Sequence, residues 1–271
     1  MKYVFIVGSH RTGTKTLAKY FNEFYDNISC YHQYNGLRLV NIFSNLYMAG
    51  KISERVLEFV IDKVINNHIK NNSDNNAYIV SNGFNYLSVK YLRKYYQGVC
   101  VIHIVRDPRN FVTSFINFIH SRSKSWIANK YIPFWHIPGY ALSEIEKKDW
   151  MKMPLFEKFC WSWKIKNSLI ENIYSNCNNN NYLFIKLENI QKKESRVLNI
   201  KKITNAIGFD YKENSSDFFD NKYNKSRSNI MKPWQYWDND LALKLDEICS
   251  PLMKKYKYGD EKEWLKKISI K

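Results

Sequence analysis

The first seventeen residues constrain this chain most. Met1 to Val7, MKYVFIV, reads as a short apolar strand that Gly8 ends. Ser9-His10-Arg11-Thr12-Gly13-Thr14-Lys15-Thr16 follows, and Leu17 opens an amphipathic run, LAKYFNEFY. A buried strand, a turn rich in glycine and hydroxyls, and a helix N-terminus make a site for phosphate. Free backbone N–H groups and the positive end of the helix dipole converge on one spot. Thr12, Thr14 and Thr16 can add hydroxyl donors, and Arg11 and Lys15 add charge. An ordinary strand-to-helix turn containing glycine is the alternative.

The loop departs from a Walker A motif in one informative way. That motif needs glycine, four residues, then Gly-Lys-Ser/Thr. Gly8 and Gly13 have this spacing, but Thr14 stands where the lysine belongs, and Lys15 comes one place late. Phosphate or nucleotide binding is therefore expected more strongly than nucleotide hydrolysis.

Further strands are expected at Ala77–Ser81, Val99–Val105 and Tyr182–Leu187, with a weaker one at Ile28–Tyr31. Helical stripes lie between and after them: Ile52, Val56, Val60, Val64 and Ile65; Leu155–Tyr174; and Asp238–Tyr256. Alternating strands and helices imply parallel strands joined by right-handed crossovers. The expected fold is thus α/β: a P-loop-type three-layer sandwich, its mostly parallel sheet of about five strands flanked by helices. With 271 residues, 45% of them hydrophobic, and no dividing linker, one domain over 1–271 is expected. The Asn-rich stretches Asn71–Asn76 and Asn178–Asn181 read as loops before strands. Residues 121–152 form an aromatic, Pro- and Gly-containing insertion with Trp126, Tyr131, Trp135, Tyr140 and Trp150.

Composition narrows the class. No run of about 18 apolar residues is present, so no transmembrane helix is expected. The N-terminal apolar stretch is too short for a signal peptide. Five scattered cysteines without a C-x-x-C pair fit free thiols in a reducing, cytoplasmic setting and argue against a zinc site. The net charge of +17 favours anionic partners. Its lysines are spread along the chain, unlike a nucleic-acid module, but the basic surface leaves room for peripheral membrane contact.

A second motif follows the strand at Val99–Val105: Arg106-Asp107-Pro108-Arg109-Asn110, then FVTSFINFIH. An arginine at the carboxyl end of a parallel strand faces the crevice where ligands bind. Ser114 lies eight residues later, within reach of the same phosphate, although a structural ion pair for Arg106 explains it as well.

Together, a Gly-Thr loop preceded by arginine and a later Arg-x-Pro with serine at plus eight resemble the sulfotransferase family. The resemblance implies that Ser9, His10, Arg11, Thr12, Gly13, Thr14, Lys15 and Thr16 hold the 5′-phosphosulfate of 3′-phosphoadenosine-5′-phosphosulfate (PAPS). It implies that Arg106 and Ser114 hold the 3′-phosphate, with 3′-phosphoadenosine-5′-phosphate (PAP) as product. Trp163 with Asn167, the strand FIKLENI at 184–190, and the closing ICSPLM at 248–253 with Tyr258-Gly259 extend the likeness. His10 replaces a usual proline, and Lys15 a usual small hydroxyl residue. The Gly-rich C-terminal cofactor loop of the family's cytosolic branch is not recognisable, and Lys225 and Arg227 are the candidate substitutes. The likeness is thus to divergent bacterial or carbohydrate-type members.

The implied chemistry is in-line sulfuryl transfer to an acceptor hydroxyl or amine, the acceptor being a glycan or glycolipid if the 121–152 aromatics stack on sugar rings. Arg11 would stabilise the leaving group, Lys15 would be the second cation, and His32 the base. His32 follows the weak second strand, and its ordinary pKa near 6.5 suits the task. His103, inside an apolar strand, reads as core; His120 and His136 are reserve candidates. A P-loop kinase or NTPase, and a non-catalytic polyanion-binding module, are the competing readings.

Overall fold

A computed structural model describes residues 1–72, 76–121, 127, 132, 134–174, 181–220 and 229–269. The chain forms two compact units: Met1–Val105 with Leu169–Asn224, and Arg106–Ser168 with Lys225–Lys271.

The first unit holds the sheet. Its strands are β1 (Lys2–Val7), β2 (Ile28–Tyr31), β3 (Ala77–Ser81), β4 (Cys100–Val105) and β5 (Tyr182–Lys186). They lie in the order β2-β3-β1-β4-β5 and every pair is parallel. The central strand β1 pairs Val4 with Ile79 on one side and Cys100 on the other. A strand covered on both faces must be apolar throughout, and Val4, Phe5, Ile6 and Val7 are all fully buried.

Each face has its own helical cover. Val4, Ile6, Ile79, Ile102 and Ile104 pack with Leu17 and Phe21 of α1 (Thr14–Phe24), and with Ile200 and Ile203 of the 193–207 helix. On the other face, His68 of the 67–70 helical turn shares a 2.6 Å hydrogen bond with the Tyr78 hydroxyl. Tyr3 there meets the Tyr96 ring at 4.2 Å. This is the three-layer α/β arrangement that the pattern predicts.

The weak strand β2 exists because α1 pins it. The Asn22 side chain donates to the Cys30 carbonyl at 2.8 Å and accepts from the Cys30 N–H at 3.0 Å, as a neighbouring strand would. Two helices differ from expectation. The stripe at Val56, Val60 and Val64 flanks the buried row rather than forming it. Leu57, Ile61, Ile65 and Ile69 are buried instead, and a π turn at Asp62–Asn66 keeps the row on one face. A helix at Leu37–Met48 (α2) also appears, with Asn41, Ser44 and Asn45 buried.

The second unit is helical. The helix α3 (Pro108–His120) packs Phe115 on Phe159 of α4 (Leu155–Tyr174), whose last six residues belong to the first unit. Two further helices, α5 (Asn239–Lys255) and α6 (Lys262–Ile268), complete its core with Cys249, Met253 and Trp264. Of the 121–152 insertion, Ile137, Gly139 and Trp150 are buried, and Gly139 packs against the Trp150 ring. Trp126, Tyr131 and Pro133 lie outside the described residues. Among the described residues no helix is long and apolar enough to cross a membrane.

Candidate functional site

The loop after β1 is built around close backbone approaches. A Cβ at Gly8 would lie 2.3 Å from the Ile104 carbonyl oxygen of β4, so only glycine lets the two strand ends come this near. Arg11 (φ 64°) and Gly13 (φ 78°) both adopt left-handed backbone on either side of Thr12. A non-glycine residue held there is an uncommon conformation that clusters at ligand-binding turns. At Gly13 a side chain would also meet Leu187 at 2.8 Å.

Gly13 is the N-cap of α1, and it brings no side-chain cap; no acidic residue stands in the first turn. The first-turn N–H groups and the dipole's positive end are thus not covered by a capping side chain, an arrangement that suits an anion. Two hydroxyls in the same turn need a partner too. Ser9 and Thr12 are each 1% exposed, and neither side-chain oxygen has a hydrogen-bond partner. A buried polar group left this way costs about 1–3 kcal/mol. Thr14 is also buried; Arg11 and Thr16 are half-buried and Lys15 is exposed. His10 sets its ring edge-on to Phe84 at 4.9 Å.

His32 stands just past β2 and is held from β3. Its Nδ1 lies 2.8 Å from the Ser81 carbonyl oxygen, which can only accept, so Nδ1 carries the proton. Nε2 is then the basic nitrogen. Asn82 donates its side-chain N–H to the His32 carbonyl, while the Ser81 hydroxyl donates to the Thr14 carbonyl at 2.8 Å. One strand end thus fixes both the histidine and the first turn of α1. Burial lowers the His32 pKa below 6.5; the Ser81 hydrogen bond opposes this, and the charge of Lys15 adds to the lowering.

The second motif belongs to the second unit. Arg106 is half-buried, and its carbonyl accepts the Trp163 indole N–H at 2.8 Å. Asp107 caps α3 by accepting the Arg109 N–H at 2.9 Å, with Pro108 following at the first helical position. Ser114 is half-buried in the second turn. Asp107 is also occupied by the Arg109 guanidinium, at 2.6 Å from Nη2 and 3.0 Å from Nε. The same guanidinium reaches Glu261 at 2.7 and 2.8 Å and lies over the Trp234 and Trp264 rings at 4.3 and 4.9 Å. Burial works against the Arg109 charge, but Glu261 and Asp107 outweigh it and hold the pKa above its ordinary value. Losing one partner of such a pair costs about 3–5 kcal/mol. An Asp107 committed in this way is a poor magnesium ligand, which weakens the kinase reading.

Several expected residues find structural employment. His103 is fully buried in β4 and shares a 2.9 Å hydrogen bond with the Tyr182 hydroxyl. His136 shares one of 3.2 Å with Ser162; burial first, then the charge of Lys166, pushes its pKa down to about 3. Trp163 is buried, and its carbonyl accepts the Asn167 amide at 2.8 Å. Glu188 sits in the first turn of a short helix after β5. Cys30, Cys100, Cys160 and Cys249 are buried free thiols. Arg227 and Lys225 lie outside the described residues. Sequence reasoning misses Ser81 and Asn82 as supports of His32, although an Asn-Gly pair after an apolar strand marks the turn. It also misses the Arg109–Glu261 pair, which no local signal announces.

No protein-family model and no curated protein matches the chain. Solved structures do. The sulfotransferase domain of the curacin biosynthetic pathway aligns at TM-score 0.53 and 12% identity, over 95% of this chain and 98% of that one. A sulfotransferase from Alicyclobacillus acidocaldarius aligns at 0.51 and 13%, over 97% and 98%. The sulfotransferase domain of the Synechococcus PCC 7002 olefin synthase aligns at 0.50 and 14%, over 95% of each. Over nearly its whole length, the chain has the fold of these sulfotransferases.

Proposed function

We propose that this chain is a PAPS-dependent sulfotransferase. The carrying observation is the turn at Ser9–Gly13: two buried hydroxyls without partners beside a helix N-terminus that no side chain caps. That donor set fits the 5′-phosphosulfate. Arg11 and Lys15 supply positive charge where the leaving oxygen becomes negative. Arg106 and Ser114 take the 3′-phosphate, and Arg227 is a further nucleotide ligand.

PAPS supplies an activated sulfuryl group. His32 Nε2 takes the proton from an acceptor hydroxyl or amine as the new bond to sulfur forms. The bond from sulfur to the 5′-phosphate oxygen breaks, and that oxygen keeps the electron pair in PAP. The tautomer set by Ser81 supports this role, since Nε2 must enter the reaction unprotonated. A glycan or glycolipid acceptor rests on the 121–152 aromatics; with Trp150 committed to the core, the half-buried Trp135 and Tyr140 carry it.

The test follows PAP release from PAPS, without magnesium, over a panel of glycoside and glycolipid acceptors. The wild-type protein is expected to release PAP with at least one acceptor. Arg11→Ala should slow that release by roughly 10²-fold or more, the scale of losing one charge-stabilising donor. Magnesium-dependent release of phosphate from ATP, with PAPS untouched, would contradict the proposal.

A further inference from the structure

The peptide group between Arg106 and Asp107 is held at both ends. On one side the Trp163 indole N–H binds the Arg106 carbonyl at 2.8 Å. On the other, Asp107 is fixed twice over: its carboxylate caps the backbone of α3 and receives the Arg109 guanidinium. Arg109 is fully buried and lies over two indole rings that meet edge-on at 5.7 Å. Glu261, the half-exposed member, closes the chain from the N-cap position of α6.

A buried ion pair is a weak device for stability, because desolvation cancels much of its attraction. It is a strong device for geometry. Two carboxylates on one planar fork, which also packs against two perpendicular indoles, restrict how that fork can lie. That arrangement sets the backbone from which the Arg106 side chain departs.

We infer that Arg109 and Glu261 are positioning residues for recognition of the nucleotide's 3′-phosphate, tying it to the C-terminal helix α6. This rests on the PAPS reading above. Neither residue touches nucleotide; they act through the turn that carries Arg106. A ligand that lacks a 3′-phosphate gains nothing from that turn, so the two classes of nucleotide should respond differently.

The test is Glu261→Gln, which keeps the size of the side chain and removes its charge, with Arg109→Lys as the second variant. Binding of PAP and of adenosine 5′-phosphosulfate is measured by calorimetry. The Trp163 indole resonance is followed by nitrogen-15 NMR in the nucleotide-free protein. Glu261→Gln should weaken PAP by roughly tenfold, the scale of losing an outer supporting partner. Adenosine 5′-phosphosulfate should stay within about twofold, and the Trp163 resonance should move. Arg109→Lys should weaken PAP at least as much.

Unchanged PAP affinity, or equal weakening of both nucleotides, overturns the inference. If the wild-type protein binds no PAP, the PAPS reading fails. The indole resonance then still decides the coupling: an unmoved signal overturns it, and a moved one supports the link from Glu261 to the Arg106 turn.

Discussion

His32→Ala is expected to lower turnover by about 10²–10⁴ while leaving nucleotide affinity nearly intact. In the proposed role His32 meets the acceptor's proton and not the nucleotide, so its loss should appear in turnover. The pH dependence adds a second readout. Burial and the Lys15 charge lower the His32 pKa, so neutral His32 persists below pH 6.5. The acid limb of kcat/KM should therefore fall below 6.5, as the rate drops when Nε2 takes a proton. Lys15→Met removes one of the lowering influences and should move that limb upward. Near-normal turnover in His32→Ala, or an acid limb above 6.5, removes His32 from the base role.

Arg106→Ala should weaken PAP by about 10- to 100-fold, since a charge-assisted bond to phosphate contributes about 1.5–3 kcal/mol. Adenosine 5′-phosphosulfate should change by no more than about threefold under the same titration. The difference matters more than either value, because damage to the fold lowers both. Equal weakening of the two nucleotides would contradict the 3′-phosphate assignment.

Much of this fold was legible because parallel strands buried on both faces leave apolar runs. The run at 77–81 matches β3, and the run at 99–105 matches β4 but for its first residue. The helix at Leu37–Met48 was not legible, since Asn41, Ser44 and Asn45 sit at its buried positions and blur the period. What Asn45 pairs with comes from elsewhere: it accepts the Tyr86 hydroxyl at 2.8 Å, and Tyr86 is 41 residues away. The same distinction runs through the site. Gly8, Gly13 and the hydroxyls announced the loop, because local backbone geometry demands those residue types. The left-handed Arg11, the Ser81 carbonyl that sets the His32 tautomer, and Glu261, 152 residues from Arg109, depend on tertiary contacts. No local pattern encodes them.

The most direct measurement is calorimetric titration of the wild-type protein with PAP, without magnesium, beside ATP. A PAPS-dependent enzyme should bind PAP with micromolar affinity, about −8 kcal/mol, and ATP far more weakly, with or without the metal. Absence of PAP binding, or a preference for magnesium-ATP, would contradict the PAPS reading and return the loop at Ser9–Thr16 to the kinase-like reading.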